Sequence, residues 1–195
     1  MPSVFKYNGN EIIDSSGNVT ASAFPTGSIV QTKTYIETTN WQQSYNGSSG
    51  PITLANASGT NFAVSITPKV TGSKNLLTVS IGKVSPHNTS SGWGLAFRCM
   101  RDSTPVGLAT GSNLPLMSFA AGYHSIHYVT GVHFTCLDSN ANTAGTAITY
   151  TLQFQTHAGA SYTVSFNRGS DVGTTANDGD NAVTSSSYIV QEVMQ

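Results

Sequence analysis

The sequence predicts an all-β protein: a single antiparallel β-sandwich, jelly-roll-like, with a short N-terminal arm. Three observations support this fold class. Ser, Thr, Asn and Gly fill 85 of the 195 positions, apolar and polar residues alternate with period two in most segments, and helical periodicity is almost absent. Disorder is excluded because hydrophobic residues make up 38% of the chain and its net charge is only −1.

Residues 1–24 are predicted to form the arm. Glu11–Ile13, a turn at Ser15–Gly17 and the pair Asn18–Val19 suggest a small hairpin. Such a piece cannot bury a core of its own, so its apolar side chains need a partner surface. We therefore expect the arm to dock on a capsid or on a neighbouring subunit through Ile12, Ile13, Val19 and Phe24.

Residues 25–195 are predicted to form one sandwich domain. Nine runs with strand character follow one another: Ile29–Ile36, Ile52–Ala55, Phe62–Thr67, Leu77–Ile81, Trp93–Met100, Ile126–Leu137, Ile148–Phe154, Tyr162–Phe166 and Tyr188–Met194. In the strongest run, Trp93, Leu95, Phe97 and Cys99 share one face, which we expect to be core. Polar, turn-rich segments separate the runs, and no helix is available for parallel crossovers, so two packed antiparallel sheets are favoured.

The charge pattern excludes several classes of protein. Charged residues make up 9% of the chain, against about a quarter in ordinary domains, and the near-zero net charge provides no basic stripe for nucleic acid. We find neither a signal-like segment nor 18 consecutive apolar residues, so we expect no secretion and no membrane insertion. We therefore interpret Cys99 and Cys136 as two structural thiols rather than as a disulfide.

The sequence predicts neither an enzyme nor a bound cofactor. It has no Gly-x-Ser-x-Gly elbow, and most of its nine acidic residues sit in apparent turns. His127 and His133 share one strand face but are about 20 Å apart, so they cannot share a metal ion unless the chain bends. Symmetry copies of one histidine could also gather around an ion at a trimer axis. Asp171–Asn181 could hold Ca²⁺, but it lacks the spacing of an EF-hand loop and reads more simply as a polar loop.

One group of residues suggests glycan binding. Sugar sites often stack a ring on an exposed aromatic beside amide donors. Trp41, Gln42, Gln43 and Tyr45 form the best such set in the chain. The loops Tyr45–Gly50 and Ser170–Asn181 are the candidate regions for contact with host glycans. The alternative interpretation is that Trp41 is packed at the edge of the sandwich.

The order of motifs from residue 25 to residue 195 resembles a small β-domain found in virion proteins of tailed bacteriophages, especially phages of aquatic bacteria. The resemblance rests on Pro25–Gln31, Val64–Lys69, Ser73–Leu77, Phe97–Arg101, Leu137–Ser139, Ile148–Phe154, Ser165–Arg168 and Ser187–Val193. It implies a β-sandwich that trimerises and displays loops outside the particle, without catalytic residues. The chain has no collagen-like repeat, heptad stretch or shaft, so a capsid decoration or cement protein is favoured over a whole fibre.

We therefore expect a non-enzymatic homotrimer on the virion surface, made in the host bacterial cytoplasm. The alternative is a tail-fibre or head-fibre tip adhesin that binds host glycans. The chain has only eight Lys and Arg residues that could protect exposed strand edges from pairing with other chains. Burial of these edges between subunits is therefore favoured. We expect the trimer interface to include His127, Val129 and His133, with Gln191 on its partner strand.

Overall fold

The computed structural model describes residues 4–7, 10–13, 24–46, 50–87, 93–107, 119–123, 130–156, 162–167 and 183–195. These residues contain fourteen β-strands: β1 (Phe5–Tyr7), β2 (Asn10–Ile13), β3 (Ile29–Glu37), β4 (Trp41–Tyr45), β5 (Ile52–Thr53), β6 (Ala63–Ile66), β7 (Lys74–His87), β8 (Trp93–Arg101), β9 (Thr104–Val106), β10 (Phe119–Tyr123), β11 (Thr130–Asp138), β12 (Ile148–Thr156), β13 (Tyr162–Phe166) and β14 (Ser186–Val193). The described part of the chain holds no helix long and apolar enough to cross a membrane.

Twelve of the strands form two six-stranded antiparallel sheets. The first, called here the β7 sheet, is built around the 14-residue strand β7. One edge of β7 pairs with β11, and the other edge pairs first with β14 and then with β13, which lead outward to β3 and β4. The second, the β8 sheet, places β8 beside β12, with β9 and β10 on one side and β5 and β6 on the other.

The two sheets pack face to face around one hydrophobic core. Phe97 of β8 lies 6.4 Å, ring centre to ring centre, from Phe134 of β11, and Phe154 of β12 lies 5.6 Å from Phe166 of β13. Full burial of each such side chain contributes about 1.5–3 kcal/mol. Leu95, Phe97 and Cys99 are buried as their shared face predicts. The predicted fold class, a single antiparallel, jelly-roll-like β-sandwich, is therefore confirmed.

The strand predictions missed four elements. Strands β1, β4, β9 and β10 were not expected. Glu11–Ile13 pair with the segment before them, Phe5 opposite Ile13 and Tyr7 opposite Asn10. The predicted turn at Ser15–Gly17 and the pair Asn18–Val19 lie outside the described residues.

The structure describes two of the four side chains that are predicted to dock the arm. The side chains of Ile12 and Phe24 are half-buried. The side chain of Ile13 and all of Val19 lie outside the described residues. Strands β1 and β2 form a two-stranded sheet of their own, and docking of the arm on another molecule stays a prediction.

Candidate interaction surface

Three rows of side chains cross the outer face of the β7 sheet. Each row takes one residue from β11, β7, β14 and β3, in that order. The registers place them as Leu137, Leu76, Gln191 and Thr32 in the first row, Thr135, Thr78, Ile189 and Thr34 in the second, and His133, Ser80, Ser187 and Ile36 in the third. None of these twelve residues is Lys, Arg, Asp or Glu, and Lys74, two residues before Leu76 on the same face of β7, is the charged residue beside the first row.

The apolar residues of this face are contiguous. Leu137 and Leu76 lie side by side in the first row, Ile189 is diagonal to Leu76 in the second, and Ile36 is diagonal to Ile189 in the third. The band runs from one outer strand to the other, and its two ends are open to solvent, with Leu137 40% and Ile36 60% exposed. A continuous apolar band flanked by hydroxyl groups is typical of an interaction surface, whereas single exposed apolar residues are ordinary.

The two predicted interface residues that the structure describes lie on one sheet face, two rows apart. His133 is exposed in the third row, and Gln191 is half-buried in the first row, where its amide nitrogen lies 3.4 Å from the hydroxyl of Thr32. Both project from the same sheet face, with β7 between their strands. His127 and Val129 lie outside the described residues.

The prediction of a glycan site with exposed aromatic rings is wrong for Trp41 and Tyr45. These residues belong to strand β4 and point into the sandwich, where their exposed fractions are 6% and 1%. Trp41 stacks on Phe166 at 4.9 Å, and Tyr45 packs against Phe154 at 5.8 Å. The alternative interpretation, that Trp41 serves packing, is the one that the structure bears out.

The two glutamines of the same set hold strands together. The amide of Gln43 donates to the carbonyl of Thr53 at 2.8 Å and accepts from the backbone N–H of Ala55 at 2.9 Å, which ties β4 to the segment around β5. Gln42 is exposed and donates to the hydroxyl of Ser165 at 3.1 Å. The amide of Gln43 is therefore occupied by backbone groups rather than presented to a ligand.

Glu192 is a buried carboxylate at the end of β14. The backbone N–H of Val70 and the hydroxyl of Ser73 donate to its Oε1 at 2.8 and 2.7 Å, and the amide of Gln31 donates to its Oε2 at 2.7 Å. The N–H of Lys69 donates to both oxygens. These bonds fix the segment between β6 and β7 on the C-terminal strand.

Asp138 is a second buried carboxylate, at the end of β11. Arg101 pairs with its Oδ2 at 2.8 Å, and the hydroxyl of Tyr150 donates to the same atom at 2.7 Å. Both the backbone and side-chain nitrogens of Asn140 donate to its Oδ1. Burial, followed by the bond to Asp138, raises the pKa of Tyr150 well above its ordinary value, so this hydroxyl stays protonated.

A chain of buried hydrogen bonds links these two acids across the sandwich. Asn75 donates to the hydroxyl of Tyr150 at 2.8 Å and to the side chain of Asn142 at 3.1 Å. Asn142 in turn donates to the hydroxyl of Ser73 at 3.0 Å, and Ser73 donates to Glu192. Both acids therefore belong to one structural network that joins the two sheets at one end.

Glu37, at the end of β3, is a third nearly buried acid. Its Oε2 accepts from the hydroxyl of Tyr35 at 2.9 Å and its Oε1 from the N–H of Thr39 at 2.9 Å. Burial alone would raise the pKa of Glu37, but these bonds outweigh it and hold the pKa below its usual value. Burial also raises the pKa of Tyr35, whose hydroxyl accepts from Asn56.

Within the described ranges, no three His, Cys, Asp or Glu side chains gather where they could hold a metal ion. The candidate Ca²⁺ segment Asp171–Asn181 lies outside those ranges. Cys99 and Cys136 are thiols, the first buried and the second half-buried.

Two features of the surface and core escaped the sequence analysis although a signal was present. Glu192 has the same parity as Tyr188 and Val190 in β14, and period two alone places it on the buried face. Leu76 and Ile189 likewise occupy the outward positions of their strands, which otherwise carry mostly polar residues. Apolar residues at outward positions of adjacent strands indicate a surface that a partner covers.

Comparison with solved structures found 13 similar chains. The solved structure of the TNF protein Eiger from S. frugiperda is similar to this chain, with 10% sequence identity and a TM-score of 0.40, over 84% of this chain and 92% of that chain. No protein-family model matches the chain, and no curated protein is significantly similar to it in sequence.

Proposed function

We propose that this chain is a non-enzymatic structural protein on the exterior of a tailed-phage virion, where it acts as a homotrimeric capsid decoration or cement protein. The observation that carries the proposal is the apolar band on the outer face of the β7 sheet, which crosses three rows of residues that hold no charged side chain. Such a face serves assembly rather than chemistry. The order of sequence motifs from residue 25 to residue 195 gives the proposal its virion context.

The use of the buried acids supports a structural role. Every carboxylate oxygen of Glu37, Asp138 and Glu192 accepts a hydrogen bond from another group of the protein. A general base or a nucleophile must present an oxygen to its substrate. These three carboxylates instead join strands and loops, as expected of a protein with a structural role.

The adhesin alternative loses its best candidate contact. Stacking of a sugar needs an exposed aromatic face, and the rings of Trp41 and Tyr45 face the core. The loop Ser170–Asn181, the other candidate region, lies outside the described residues. Decoration of the capsid is therefore the function we propose.

Antibody labelling of purified phage particles tests this function directly. Gold-labelled antibodies against the chain, viewed by electron microscopy, should mark the capsid at many positions. Labelling confined to the tail or to a fibre tip would favour the adhesin. Particles without label, from lysates in which the protein is present, would contradict a role on the virion.

A further inference from the structure

We infer that Cys99 and Cys136 form a redox-sensitive latch: oxidation joins their sulfur atoms in a disulfide that ties β8 to β11 across the sandwich. Both residues are thiols in the structure. A covalent bond between the sheets is a property that the proposed function does not require. The level of the two side chains in the sandwich, the close approach of their strands and the exposure of one thiol all support it.

Strands β8 and β11 face each other and run in the same direction. The ring of Phe97 lies 6.4 Å from the ring of Phe134, centre to centre. Four residues further along both strands, Arg101 pairs with Asp138 at 2.8 Å. The two strands therefore stay beside each other over this stretch, one in each sheet.

The two cysteines lie midway between these contacts. Cys99 follows Phe97 by two residues in β8, and Cys136 follows Phe134 by two residues in β11. Because side chains alternate with period two, each thiol projects from the same face of its strand as the ring before it. The thiols therefore face each other across the sandwich, at one level of the two strands.

The sheets converge at this level, on the side where β9 approaches β11. Val106 of β9 lies opposite Cys99 in the ladder, and Gly107 follows it. A Cβ built on Gly107 would lie 2.8 Å from the Sγ of Cys136 and closer still to its Cβ, so Cys136 lies against the backbone next to the ladder partner of Cys99. Sheets usually pack about 10 Å apart and a disulfide needs Cα atoms within about 7 Å, so the bond depends on this convergence.

A phenol beside both thiols supports the same placement. Tyr188 of β14 is fully buried. Burial is the largest cause that raises the pKa of its hydroxyl, and Cys99 and then Cys136 raise this pKa further. Two groups that both act on one buried hydroxyl lie near it, and hence near each other.

Solvent exposure sets the order of the reaction. Cys136 is half-buried, whereas Cys99 is fully buried, so a small disulfide such as oxidised glutathione reaches Cys136 first. The Cys136 thiol loses its proton to water and bonds to one glutathione sulfur, and the other sulfur leaves and takes up a proton. The Cys99 thiol then loses its proton, attacks the Cys136 sulfur and displaces the second glutathione. Two protein thiols are oxidised to one disulfide, and one oxidised glutathione is reduced to two thiols.

The bond ties the sandwich on the side opposite to β3 and β4. On the β3 and β4 side, side chains already join the sheets: Gln31 donates to the carbonyl of Thr67 and Gln43 to that of Thr53, each at 2.8 Å. The disulfide also closes residues 99–136 into a loop, which lowers the entropy of the unfolded chain. The cytoplasm keeps thiols reduced and the medium around released particles oxidises them, so the bond forms after release, a timing that rests on the proposed function.

The test treats the purified, folded chain with oxidised glutathione and measures its mass without reduction. The mass should fall by two hydrogen atoms, and a digest without reduction should contain one linked peptide pair that holds Cys99 and Cys136. The urea midpoint of the oxidised chain should lie roughly 1 M above that of the same chain after reduction.

The matched control moves one thiol to the other face of the same strand. Thr135 is exposed and precedes Cys136 in β11, so the double variant Thr135→Cys, Cys136→Ala keeps two cysteines but points the second one outward. It should form no intramolecular bond with Cys99 under the same conditions. Urea unfolding of the reduced variant verifies that it is folded.

Three results for the wild-type chain would overturn the latch: two thiols that remain titratable, a glutathione that stays on Cys136, or disulfide-linked dimers in place of the internal bond. An internal bond that forms as fast in the double variant would overturn it as well, because the bond would then not depend on facing positions. The reaction is followed on the purified chain, so its failure leaves the labelling of particles unchanged and is distinguishable from failure of the virion function.

Discussion

At the residue scale, Glu192 is the side chain on which most hydrogen bonds of the network converge. Glu192→Gln keeps the size but places an amide nitrogen among N–H and O–H donors, so we expect a loss of about 2–3 kcal/mol of unfolding free energy. Urea denaturation measures it. Lys69→Ala is the control, since it keeps the backbone donor and should change the free energy by less than about 0.5 kcal/mol. Equal midpoints for the two variants would contradict the structural role of the carboxylate.

We predict that Glu37 contributes to the unfolding free energy in a way that depends on pH. Its pKa is lower in the folded chain than in the unfolded chain, so the carboxylate stabilises the fold above an unfolded pKa of about 4.3. That contribution is lost as pH falls through the lower folded value. The difference in unfolding free energy between wild type and Glu37→Gln should therefore shrink between about pH 5 and pH 3. Tyr35→Phe, which removes one donor, should reduce the same pH dependence, and a difference that is constant over this range would refute the assignment.

At the scale of the elements, Gly107, the residue after β9, packs so closely against β11 that a side chain would not fit between them. Gly107 has a φ of +62°, and a Cβ built on it would lie 2.4 Å from the Cβ of Cys136. Gly145 has a φ of +78° with open space around the same position. We expect Gly145→Ala to cost about 1–2 kcal/mol from backbone strain alone and Gly107→Ala to cost at least about 1 kcal/mol more. Urea unfolding of the pair measures the difference, and equal losses would mean that β9 and β11 are not in close contact.

The elements that the sequence analysis found and missed differ in a physical way. Runs such as Ile148–Phe154 have one buried and one solvated face, so period two reveals them directly. Strand β4 carries Gln43 on its inward parity, where its amide bonds backbone groups, and this polar residue hides the alternation. Strands β9 and β10 are short and rich in Gly, Ala or Pro, and their pairing with β8 depends on tertiary contacts that local patterns do not contain.

At the scale of the whole molecule, alternation along a single strand predicts which of its residues point outward, but it does not predict the face that four strands of the β7 sheet form together. Alternation placed His133 and its neighbours outward, which the structure confirms for the residues it describes. The rows across four strands depend on registers between segments far apart in the chain, such as Gln191 opposite Leu76. No local pattern contains that register, and for the same reason the network from Glu192 to Asp138 was not foreseen.

The registers also give the sandwich a direction. The chain leaves the arm region at residues 24–28, where Gly27 bonds to Met194, and Val193 lies opposite both Ile29 and Lys74. At the other end of β7, His87 lies opposite Thr163, and Tyr45 lies opposite Tyr162 one position further on. The arm junction and Asn46 are thus separated by about the length of β7, roughly 43 Å at 3.3 Å per residue.

This direction predicts which end faces the particle. If the arm docks on the capsid, a chain lacking residues 1–24 should keep a cooperative urea transition, because the core residues that the structure describes all lie after residue 24, but it should no longer join particles. A peptide tag inserted after Asn46 should be accessible to antibody on intact virions, whereas the same tag fused before Met1 should be accessible only on the free protein. Normal incorporation of the truncated chain would contradict the docking role of the arm. Equal labelling of both tags on intact particles would contradict the orientation, because the end that binds the capsid must be covered by it.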